Sequence, residues 1–155
     1  MTLLLLFNQP TSVTAFLRAD ADDTNTDNWV DQAGSSSNLF NAIDEVSVDD
    51  ADYILSPAIT TGGSWTKVKI RLSNPAPGTT LGGPIKVRYR AKQTNVGNKW
   101  FAVTLYQGTT VIASWDHVVE LTTSFQTFTQ TLTAPQVAAI TDFDDLYIRF
   151  EDVEI

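Results

Sequence analysis

The chain has 155 residues, 43% of them hydrophobic and 10% aromatic, enough for one domain with a real core and too apolar for disorder. It contains no cysteine and one histidine, which excludes a disulfide framework and leaves no donor set for a zinc site within one chain. The net charge of -8 is segregated. Residues 1–52 carry ten carboxylates and one base, residues 53–115 eight bases and no carboxylate, and residues 116–155 eight carboxylates and one base. Acidic flanks repel phosphate, so no nucleic-acid partner is expected.

Leu3, Leu4, Leu5, Leu6 and Phe7 form an apolar run closed by Asn8, Gln9 and Pro10. No base precedes it, as a secretory signal requires, and a membrane span needs about 20 apolar residues. Residues 1–10 therefore read as a buried first strand or as an arm that docks on another subunit, with no membrane partner. Residues 11–155 read as a single β-sandwich domain. Val13 to Leu17 is a short strand, and Asp20 to Asp27 an acidic loop. Trp29 re-enters the core. Leu39, Phe40 and Ile43 have the spacing of one or two helical turns, capped by Ser37 or Asn38. Asp49, Asp50 and Asp52 form a second acidic turn before a strand at Tyr53 to Leu55.

From there strands and turns alternate. Lys67 to Leu72 is apolar on one face and basic on the other. Pro84 to Lys92 repeats the pattern: Ile85, Val87, Tyr89 and Ala91 oppose Lys86, Arg88, Arg90 and Lys92. Lys99 to Tyr106 and Val111 to Val119 flank a hairpin turn at Gln107 to Thr110. Ser124 to Thr133 has β composition, Thr133 to Ile140 is a short helix with Pro135 near its start, and Asp145 to Phe150 is the last strand. No long amphipathic helix exists to make parallel crossovers. The fold class is all-β: an antiparallel β-sandwich, jelly-roll-like, with one or two short helices.

Four sites merit weighing. Strand alternation puts Ser114 and Asp116 on one face and His117 on the other, so these three form no catalytic triad, and His117 reads as an ordinary strand histidine. Asp20, Asp22 and Asp27 include the start of a calcium loop and suggest a structural calcium, against a solvated acidic loop; Asn25 stands where an EF-hand needs glycine. Trp100, Tyr106 and Trp115 offer a stacking row for a glycan if their face is open, and core packing if it is not. Lys67, Lys69, Arg71, Lys86, Arg88 and Arg90 form a contact surface if their strands are neighbours; otherwise they protect the sheet against aggregation.

Asn38 to Glu45, Asp49 to Ile54, Val87 to Ala91, Val103 to Gly108, Ile112 to Trp115, Phe125 to Leu132 and Gln136 to Asp142 resemble a module of tailed-bacteriophage virion proteins. The resemblance spans about Trp29 to the end, and its motifs are structural. It implies a non-enzymatic virion protein without a cofactor, made in the host cytoplasm and carried on the particle surface. The first expectation is a capsid decoration or cement protein. It would be a homo-oligomer, a trimer, contacting the major capsid protein or other virion proteins through Leu3 to Phe7 and the basic strands. The alternative is a glycan-binding module of a tail or head fibre that meets a host surface glycan.

Overall fold

The computed structural model describes residues 16–44, 47, 49–58, 62–76, 84–94, 99–118 and 121–154. The expectations for Leu3 to Phe7 and for Val13 lie outside these residues. Nine strands are described: β1 (Ala19–Thr24), β2 (Val30–Asp31), β3 (Ile54–Leu55), β4 (Thr66–Leu72), β5 (Lys86–Ala91), β6 (Lys99–Gln107), β7 (Thr110–Val118), β8 (Gln126–Thr131) and β9 (Leu146–Glu154). A five-stranded antiparallel sheet has the order β1-β4-β9-β6-β7. Two antiparallel ribbons, β5-β8 and β2-β3, complete the all-β architecture.

Period-2 alternation decides what the large sheet buries. Val68 and Ile70 of β4, Phe101, Val103 and Leu105 of β6, and Ile148 of β9 share its inner face and are buried. The β5-β8 ribbon covers that face with Val87, Tyr89, Ala91 and Phe128. A second cluster under one end joins Leu105, Ile112, Ala113 and Leu146 to Leu132 and Ile140, which flank helix α1 (Ala134–Ala139). This helix starts as the sequence predicts: Pro135 lies in its first turn, and Gln136 Oε1 accepts from the Thr133 backbone N–H at 2.8 Å.

His117 belongs to the inner face. It is buried with Phe101 and Phe128 against its ring, and Tyr89 Oη lies 2.5 Å from its Nε2. Asp116, its neighbour, is exposed on the opposite face, so the alternation that separates the two is realised.

Two local expectations are corrected. Asp20, Asp22 and Asp23 lie in a strand, β1, and not in a loop. This strand is an edge with two irregularities in its register, a place where a sheet tolerates residues of low β propensity. The single turn at Leu39–Ala42 is a 3₁₀ helix, and Asn38, at φ 58°, makes no side-chain cap. Asp22 serves instead: its two carboxylate oxygens accept from the backbone N–H groups of Leu39 (3.0 Å) and Phe40 (2.9 Å). Replacing Asp22 by alanine strands two donors beside the fully buried Leu39. A loss of about 1–2 kcal/mol in urea denaturation is expected, with Asp22→Asn intermediate. An unchanged midpoint in both variants would show that water satisfies the turn.

Candidate functional site

The outer face of the large sheet carries a groove of about 270 Å³. Strand register builds it in cross-strand rows. Asp116, Ala102, Glu151 and Lys67 stand side by side across β7, β6, β9 and β4. The next row is Ser114, Thr104, Arg149 and Lys69. Beyond it come Val111, Tyr106, Tyr147 and Arg71. Along β6 the outward residues thus run large, small, small, large: Trp100, Ala102, Thr104, Tyr106. The two small residues make a floor, and the two aromatic ones close its ends.

Trp65 completes the Trp100 end. It directly precedes β4, where the pairing of Thr66 with Asp152 and of Trp100 with Val153 aligns the two indoles across the sheet. Their ring centroids are 5.4 Å apart at 71°, an edge-to-face pair, and Trp65 remains 38% exposed. A partly exposed indole held in an aromatic pair offers a fixed apolar surface to a ligand ring.

The polar sides differ in charge. On the β9 side Arg149 Nη2 donates to Glu151 Oε2 at 2.7 Å, and the guanidinium also lies 4.8 Å from the Tyr106 ring. On the β7 side Thr104 and Ser114 hydroxyls share a 3.0 Å hydrogen bond, and Asp116 stands beside them. Trp100 Nε1 and Arg149 Nε are shielded donors without a hydrogen-bond partner among the described residues. Farther out, Lys69 bridges to Asp23 at 3.3 Å, donates to the Gly108 carbonyl at 3.1 Å and lies 4.0 Å above the Tyr147 ring. Partial burial first, then the hydrogen bond to Asp145 and the charges of Asp145 and Asp23, raise the Tyr147 phenol above its ordinary pKa. The phenol therefore stays a neutral neighbour of Lys69 at physiological pH.

Sequence-predicted residues divide among several places. Trp100 and Tyr106 meet in the groove. Trp115 does not: it pairs with Val103 on the inner face and packs against both core clusters. Its place in the groove is taken by Trp65, which alternation sets on the face of Lys67, Lys69 and Arg71 but which only the pairing of β4 with β9 brings beside Trp100. Arg149 and Glu151 are also brought in by register alone.

The basic residues do not form one surface. β4 and β5 lie in different layers, so Lys67, Lys69 and Arg71 face away from Lys86, Arg88 and Arg90. Arg90 makes a two-pronged ion pair with Asp50 at 2.8 and 3.0 Å, while Lys86 and Arg88 are exposed. Asp20, Asp22 and Asp27 do not converge on a calcium position. Asp22 holds the 3₁₀ turn, Asp27 accepts from the Lys67 backbone N–H at 2.9 Å, and among the described residues no group of three acidic or histidine side chains is placed to hold a metal. Leu3 to Phe7 lie outside the described residues.

The molecule is an all-β sandwich with an aromatic-ended groove on the sheet face that, among the described residues, no second layer covers. No known protein family, curated protein or solved structure matches the chain.

Proposed function

We propose that this domain is a carbohydrate-binding module that takes a short stretch of glycan in the outer-face groove. The observation that carries it is the braced, exposed Trp65 at the end of a groove whose walls mix donors and acceptors. Sugar rings have an apolar C–H face that stacks on an indole and a rim of hydroxyls that both donate and accept. The groove offers each its complement. Its volume lies just under the usual range for pockets that bury a drug-sized ligand, so it holds roughly one or two pyranose rings. At about 0.3 kcal/mol per non-hydrogen atom, a disaccharide reaches about −7 kcal/mol, a Kd near 10 μM at best.

The resemblance to virion proteins supplies a setting: a module on a particle surface that meets host glycans during adsorption. The capsid-decoration reading leans on residues 1–10, outside the described residues, and on basic strands that do not share one surface; the groove supports the glycan reading instead. A glycan array followed by tryptophan fluorescence titration tests it. Saturable binding with a blue shift is expected as Trp65 leaves water. Absence of any binder at millimolar oligosaccharide, with full occupancy of empty capsids by the same protein, would reverse the choice.

A further inference from the structure

We infer that the groove selects uncharged glycans, with Asp116 as the residue that sets this preference; the inference rests on the glycan-binding reading. Ala102 on the floor has a carboxylate on each side, Asp116 from β7 and Glu151 from β9. The two are not equivalent. Glu151 is matched by Arg149 at 2.7 Å. Asp116 is exposed and makes no ion pair or hydrogen bond among the described residues. Among the described residues the groove therefore carries one uncompensated negative charge, on its β7 side beside the Ala102 floor.

That charge has two consequences. An ionised carboxylate accepts from a sugar hydroxyl through a charge-assisted bond, about twice as strong as a neutral one. It also opposes a uronate or sulfate brought to the same floor, and a ligand that displaces water from the groove strengthens the repulsion. The cations of β4 do not cancel it. The β4 backbone stands three strand spacings from that of β7, roughly 15 Å, and Lys69, whose ammonium reaches across to the Gly108 carbonyl at 3.1 Å and lies 5.5 Å from the Tyr106 ring, sits at the Tyr106 end of the groove, away from the Asp116 row. Lys69 is in addition held by Asp23 and seated on Tyr147.

The test uses the full chain and probes on one backbone that differ chiefly in charge: methyl-esterified oligogalacturonate against free oligogalacturonate, and dextran against dextran sulfate, by isothermal titration. The neutral member of a bound pair is expected to bind at least about tenfold tighter at low salt, with the gap shrinking in 0.5 M NaCl because Asp116 is exposed to screening. Asp116→Asn should narrow the gap to about threefold, and Asp116→Lys should invert it. Asp116 is exposed, so both variants are expected to keep the parent Tm within about 2 °C. Equal or tighter binding of the anionic member overturns the inference while leaving the glycan reading intact, and so does a ratio unmoved by both variants. If no member of either pair binds and the glycan array is also blank, the glycan reading falls and this inference with it.

Discussion

Replacing Trp65 by alanine is expected to weaken glycan binding at least about 30-fold while the domain stays folded. Trp65 is 38% exposed; for a side chain of about 250 Å², roughly 90 Å² of indole surface is left for a sugar to cover. At about 25 cal/mol per Å² this is worth a little over 2 kcal/mol, or about 30-fold to 50-fold in Kd. The stability cost is smaller. The described contact that Trp65 makes with another ring is the edge-to-face pair with Trp100, worth about 1 kcal/mol, and the expected fall in Tm is about 2–4 °C. Trp65→Phe keeps a flat ring and should lose only about threefold to fivefold in affinity. Trp115→Ala is the control. It removes a tryptophan of the other face, so it should lower Tm more than Trp65→Ala and leave the Kd of the folded protein within about twofold. The reverse outcome, binding lost with Trp115 and kept without Trp65, would place the site elsewhere.

The contrast between these two tryptophans shows how far the sequence is legible. Alternation along Lys99 to Tyr106 divides the strand into its two faces without error. It does not say which face is core, because Phe101 through Tyr106 are all buried. One face is covered by the β5-β8 ribbon. On the other, Ala102 and Thr104 are hidden because they are small and sit below Trp100, Tyr106 and Arg149. The facing strand is decided by a bulge. Gln107 pairs with Thr110 and Tyr106 with Val111, a register that would set Trp115 opposite Ala102 on the groove side. An irregularity between Leu105 and Tyr106 shifts the pairing by one residue. Trp115 then faces Val103 in the core, Ile112 and Ala113 are both buried in succession, and Asp116 turns outward. A one-residue shift exchanges the faces of everything beyond it, and nothing in Val111 to Trp115 announces it. The basic strands fail differently. Their faces are legible from period 2, but their neighbours are a matter of long-range pairing, and β4 lies beside β9 from the far end of the chain. The acidic β1 was hidden by its aspartates, which an irregular edge strand accommodates and then uses, Asp22 on the 3₁₀ turn and Asp23 on Lys69.

Phe101→Ala is expected to cost about 3–5 kcal/mol, the largest single stability effect among these variants. Phe101 is 8% exposed on the inner face of β6, and its ring centroid lies 6.4 Å from that of Tyr89, 6.1 Å from that of His117 and 6.2 Å from that of Phe150. It therefore touches three strands and both layers of the sandwich. Truncation removes its transfer energy and leaves a cavity that the neighbours fill only in part, because rigid rings in a sheet do not collapse as aliphatic chains do. It also opens the stacked side of His117, exposing the buried bond to Tyr89 to water. Against a typical total of about 5–15 kcal/mol this is a large fraction, and at this chain length a Tm lowered by roughly 6–20 °C follows. Phe101→Leu should recover most of the loss. Since Phe101 and the groove lie on opposite faces of the same strand, the fraction of Phe101→Ala that remains folded should bind glycan with nearly the affinity of the parent protein. Thermal denaturation and titration at low temperature separate the two effects. A Tm within about 2 °C of the parent would mean that the β5-β8 ribbon does not close over this face.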